Sequence, residues 1–139
     1  MNLTSRLFTM LDKVNAPVVA YAHCDLPCGV YDPAQARIEA ESVKACMEKF
    51  NASNDEVFRG RAVAIKEERA DLVKHHLWVL WTDYFKPEHL AKHPDLHEVF
   101  WTTTKAAGEA KKTNDVAVAN RLLECIANID RIFWETKKA

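Results

Sequence analysis

The chain has 139 residues, 48% of them apolar and 28% charged, with a formal net charge of −1. That length and composition predict one domain with a real core. The balanced charge, with no basic run beyond the pairs Lys111–Lys112 and Lys137–Lys138, excludes the electrostatic footprint of a nucleic-acid binder, and no stretch reaches the roughly 20 apolar residues of a membrane span.

Residues 1–22 end in Ala20, Tyr21 and Ala22, the small-x-small pattern of a cleavage site. Asp12, Lys13 and Asn15 interrupt the apolar run of about 7–15 residues that a secretory signal needs. The segment therefore reads as a cytosolic leader removed by a dedicated protease acting after Ala22, ahead of a secretory peptide or a permanent N-terminal helix. That leaves a cytoplasmic protein whose functional domain spans residues 23–139.

The next stretch, "YAHCDLPCGVYDP" from Tyr21 to Pro33, concentrates a histidine, two cysteines and two prolines in a chain with only five prolines and three glycines. From Asp32 onward the punctuation is helical. Asp32 can cap, Pro33 suits the first helical position, and a helix is expected to about Phe50. "NASND" breaks it, with Ser53 or Asn54 as the next cap. A long helix then runs from Asp55 to about Phe85, with Val73, Leu77, Leu80, Trp81 and Tyr84 at helical spacing. "KPEHLAKHP" reads as a connector. A third helix is expected from Pro94 to about Ala110, and Asn114 opens a fourth in which Leu122, Cys125, Ile126, Ile129 and Phe133 recur at three and four residues. Four helices with short links and no strand-like alternation predict an all-α fold, an antiparallel up-down four-helix bundle, with the cysteine- and proline-rich stretch ahead of its first helix.

Four cysteines, Cys24, Cys28, Cys46 and Cys125, are too few for a disulfide scaffold at this length, so metal or redox chemistry is the better use of the close pair. If the chain starts at His23, its α-amine and the Cys24 amide nitrogen close a five-membered chelate ring, and the Cys24 amide and sulfur close a second. Cys28 returns with another thiolate, and the His23 imidazole can bind from above. Two nitrogens and two sulfurs in a plane suit Ni(II) or Cu(II), whereas structural zinc wants four tetrahedral side-chain ligands. Ionised amide and thiolate donate strongly, which favours a higher oxidation state and one-electron redox chemistry. A nickel or copper carrier could use the same chelate without turnover.

The run "HCDLPCGVYDPAQARIEAES" closely resembles the hook and first helix of the nickel superoxide dismutase family, and removal of 22 residues leaves 117, about the length of that family's mature subunit. The resemblance implies a homohexamer of four-helix bundles, one nickel per subunit, and disproportionation of superoxide to oxygen and hydrogen peroxide by Ni(II)/Ni(III) cycling. It implies that His23, Cys24 and Cys28 are the ligands, that Pro27 follows a cis peptide bond, and that Asp25 helps lock the hook. It places Tyr31 over the open face and Tyr84 near it, and it makes Glu39 and Arg69 the pair that orients the axial imidazole. Physical chemistry agrees: a metal-bound histidine gives its other ring nitrogen to a carboxylate or carbonyl, and Glu39 is less than two turns into the first helix. Tyrosine hydroxyls can order water and relay the protons that peroxide formation consumes.

The remaining residues with chemical potential have plainer expectations. Cys46 and Cys125 read as core packing. His89, His93 and His97 recur every four residues, but Pro94 interrupts the helix that would align them, so they are expected in a solvated connector rather than a second metal site. His75 and His76 read as surface or interface groups, and Trp78, Trp81, Trp101 and Trp134 as core or subunit contacts.

Overall fold

The computed structural model describes residues 29–138. Asp32 starts the first helix as expected: its carboxylate accepts the Ala34 N–H at 2.8 Å, and α1 runs Ala34–Ala52. Ala36, Ala40, Val43 and Met47, spaced by four, three and four, are its buried stripe. The second cap is Asp55 rather than Ser53 or Asn54. Its carboxylate accepts from Val57 N at 2.9 Å and Phe58 N at 3.1 Å, satisfying two orphan amides at once, while Ser53 only braces the turn by accepting from Asp55 N.

Helix α2, Glu56–Val79, buries Ala62, Lys66, Ala70, Val73 and Leu77. It stops short of the expected end. Leu80–Tyr84 winds as a single π turn, closed by the Phe85 N–H on Leu80 O at 3.1 Å. The widened turn shifts the phase after Leu80, and Tyr84 packs against the margin of the core while its ring also meets Tyr31.

The expected connector contains a short helix, α3, Pro87–Lys92. Pro87 does not prevent it, because at the first helical position the missing N–H had no partner to lose. Helix α4 spans Leu96–Lys112, two residues later than predicted, and α5 spans Val116–Lys137. Asp115, not Asn114, caps α5 by accepting from Ala117 N at 2.9 Å. The four long helices pack as α1 on α2, α2 on α4, α4 on α5 and α5 on α1, which closes the up-down-up-down square. The core they share is aliphatic and alanine-rich, with Leu122, Ile126, Ile129 and Phe133 of α5 fully buried at its centre. Burying each such side chain contributes roughly 1.5–3 kcal/mol.

At the end formed by the α1–α2 and α4–α5 loops, Lys66 is 2% exposed. Its ammonium donates to Thr113 O and to Asn114 Oδ1, and the Asn51 side chain donates to Asn114 O. Burial pushes the Lys66 ammonium below the usual lysine range. The lysine lies at the carboxyl end of α4, where a cation is favoured, so it ties both loops together. Asn114 is therefore a brace for this junction, which explains why it does not serve as the cap.

Candidate functional site

The opposite end of the bundle gathers the start of α1, the π turn, α3 and the last turn of α5. A cavity of about 330 Å³ opens there, lined by Gly29, Tyr31, Asp83, Tyr84, Lys86, His89 and Lys137. Two ammonium groups against one carboxylate make it a basin for a small anion. Gly29, the residue that follows Cys28, has φ +69°, a left-handed conformation in which any side chain is strained. Its carbonyl accepts from Lys137 Nζ at 3.4 Å. The described chain thus begins at the cavity, one residue after Cys28 in sequence.

Tyr31 and Tyr84 meet in the cavity, their ring centroids 5.7 Å apart and tilted by 55°. Tyr84 is held on several sides. Phe133 lies 4.4 Å from it, Phe85 stands edge-on at 5.0 Å, and the His89 ring stacks along it at 5.5 Å and 20°. The Tyr84 hydroxyl reaches Thr136 Oγ1 at 2.8 Å. Helical phase alone would make Tyr84 a core residue; the π turn makes it a cavity residue.

Glu39 and Arg69 form the expected pair, Nη1 to Oε2 at 3.3 Å across the α1–α2 seam. The Glu39 side chain is only 16% exposed, and Arg69 is also held by Glu68 at 3.0 Å. A carboxylate this sheltered, with a guanidinium fixing one oxygen, has a defined second oxygen to offer an imidazole N–H. The ligand candidates His23, Cys24 and Cys28, together with Asp25 and the peptide bond before Pro27, lie outside the described residues.

His89 was missed as a site residue: the connector is solvated as expected, but the His89 ring itself is half-buried against Tyr84. Its Nδ1 accepts the Lys86 N–H at 3.2 Å, which locks the ring against Tyr84. The signal was present in sequence: a histidine two residues after a proline that can open a helix sits where it can reach back to the amide ahead of that proline. His97 packs edge-on to Trp81, and His93 Nε2 lies 3.7 Å from Glu135, so the three histidines face three different neighbours. Among the described residues no group of three or more His, Cys, Asp or Glu could hold a metal ion. Cys46 and Cys125 are half-buried at the margin of the core rather than inside it, and burial pushes the Cys46 thiol up, which keeps it an unreactive thiol. Trp81 packs against the core, whereas Trp78, Trp101 and Trp134 are exposed.

The donor set of residues 23–28 fits a nickel ion on its chemistry. Two thiolates, an imidazole and main-chain nitrogens are the soft and borderline ligands of a tetragonal site, and the described bundle supplies the sheltered carboxylate such an imidazole needs. A helical bundle with paired tyrosines at a lysine-lined cavity, in a chain whose preceding residues 23–28 carry such a donor set in sequence, is that of a redox metalloenzyme. The family model for nickel-containing superoxide dismutase matches residues 18–137, and the chain belongs to that family. It is 59% identical over 131 residues to superoxide dismutase (Ni) of Streptomyces coelicolor, a match covering 94% of this chain and 100% of the relative. The Streptomyces seoulensis enzyme matches with the same identity and coverage. Among solved structures, native nickel superoxide dismutase is similar with a TM-score of 0.82 and 61% identity, over 84% of this chain and 100% of that one.

Proposed function

We propose that the mature chain begins at His23 and, with His23, Cys24 and Cys28 holding one nickel ion, converts two superoxide anions and two protons to oxygen and hydrogen peroxide. The observation that carries this reading is the Tyr31–Tyr84 pair over a lysine-rimmed cavity that begins at Gly29. Nickel, cycling between Ni(II) and Ni(III), supplies the one-electron exchange. The protein's own groups do the rest. Lys86 and Lys137 draw in the anion, Tyr31 and Tyr84 confine it and order the water beside it, and Glu39, held by Arg69, orients the His23 imidazole. Asp25 and Pro27 shape the hook. A carrier with the same chelate would need no such cavity, which counts against that alternative.

Removal of residues 1–22 is supported by coverage. The solved native chain is matched in full by 84% of this one, about 117 residues, the length left once the leader is gone. Self-association of the kind a homohexamer requires is supported by the exposed Trp78, Trp101 and Trp134, which offer apolar area that subunit contact would bury. A cytoplasmic location is supported by the broken apolar run of the leader; among the described residues no helix is long and apolar enough to cross a membrane.

The test is direct. Protein purified after leader removal is expected to show the mass of a chain starting at His23, one nickel per chain and rapid loss of superoxide; one nickel without dismutation would favour the carrier. Glu39→Ala is expected to lower dismutation roughly 10- to 100-fold, as for other residues that orient a metal-bound histidine. Unchanged activity together with an unchanged Ni(III) electron paramagnetic resonance spectrum would remove Glu39 from the site.

A further inference from the structure

The 2.8 Å contact between Tyr84 and Thr136 does not by itself say which hydroxyl donates. A second bond decides it. Thr136 Oγ1 lies 2.7 Å from the carbonyl oxygen of Phe133, one turn back on α5. A carbonyl can only accept, and a threonine hydroxyl has one proton. That proton is committed to Phe133, so toward Tyr84 the threonine oxygen accepts. Thr136 is buried, which keeps solvent from competing for either bond.

We infer that Thr136 is a positioning residue: it draws the Tyr84 hydroxyl proton into the bundle and leaves Tyr84 facing the cavity with its lone pairs. The inference rests on the cavity being the superoxide site. It narrows the expectation that both tyrosines relay protons. The relay Tyr84 to Thr136 to Phe133 O ends on a carbonyl and has no ionisable member beyond Tyr84, so it cannot replace a proton that Tyr84 gives up. Tyr84 instead holds a cavity water by accepting its O–H, and peroxide formation draws its protons from that water and from the solvent behind it. With the ring fixed by Phe133 and His89, rotation of the hydroxyl is the freedom left, and Thr136 removes it.

The experiment reads hydroxyl direction without turnover, from the tyrosine doublet in ultraviolet resonance Raman spectra, whose intensity ratio separates a donating phenol from an accepting one. Spectra of the full-length chain, its Thr136→Val and Thr136→Ser variants, and each of these carrying Tyr84→Phe isolate the Tyr84 contribution by difference. Because Tyr84 donates to Thr136 while accepting from water, a ratio between the donor and acceptor extremes is expected in the wild type and in Thr136→Ser, shifting toward the acceptor ratio in Thr136→Val. An acceptor ratio in the wild type, or a Thr136→Val ratio equal to it, overturns the inference. If Thr136→Val does not fold, the wild-type and Thr136→Ser spectra still decide the direction. In cleaved, nickel-loaded protein, Thr136→Val is expected to lower kcat about fivefold with KM unchanged, the worth of one neutral hydrogen bond; an unchanged kcat overturns it as well. Failure of the spectral result leaves the superoxide reading intact, and a wild-type chain without dismutase activity leaves the hydroxyl direction standing.

Discussion

Cys24→Ser and Cys28→Ser, made separately in the chain starting at His23, are each expected to abolish dismutation while leaving the thermal unfolding of the bundle near that of the parent. Serine keeps the volume but not the donor: its hydroxyl stays protonated at neutral pH, and a hard oxygen is a poor substitute for a soft, anionic sulfur in a tetragonal nickel site. The bundle does not depend on either thiol, because the buried apolar residues of the described structure run from Ala36 to Phe133. Activity loss accompanied by lost unfolding cooperativity would point to a structural role, and substantial activity in either variant would sink the thiolate assignment.

Blocking leader removal is expected to be as severe. With Ala22→Pro in the full-length chain, nickel binding is expected to be weak and dismutation absent, whereas the same preparation starting at His23 binds nickel and turns over. While Ala22 is attached, the His23 nitrogen is an amide whose lone pair is delocalised into the carbonyl. Once cut, it is an α-amine with an ordinary pKa of about 7.7–8.0, available to a metal near neutral pH. Proteolysis thereby creates a donor atom. Equal activity of the cut and uncut chains after nickel loading would show that the leader does not control the metal.

What could be read without coordinates followed from signals that are local. The stripe of α1 is a three- and four-residue repeat, as is most of that of α5, and the bundle follows from them. The hook is a contiguous run of residues, and the Glu39–Arg69 pair came only from family resemblance, since Arg69 lies amid solvated charges in "KEERAD". The caps at Asp55 and Asp115 were displaced by one or two residues because Ser, Asn and Asp all carry the needed acceptor, and tertiary bonds such as Lys66 to Asn114 decide among them. The π turn at Leu80–Tyr84 and the docking of His89 on Tyr84 were illegible for a deeper reason. Both sit among aromatic contacts, Tyr84 on Phe133 and Phe85 on Phe100, that join separate segments of the chain, and no window of sequence contains those contacts.

The bond from Lys137 to the carbonyl of Gly29 joins positions 108 residues apart. During translation residues 23–28 are among the first parts made, while Lys137, which lines the cavity, and Phe133 and Thr136, which hold Tyr84 in place there, come in the last turns of the last helix. A nascent chain therefore carries two thiols and an imidazole long before it has anything to seat them against. Ribosomal stalling or loss of the final few residues would leave residues 23–28 made and the Lys137 side of the cavity missing, so an affinity tag fused after Lys138 sits beside the cavity proposed for superoxide, not on a remote tail.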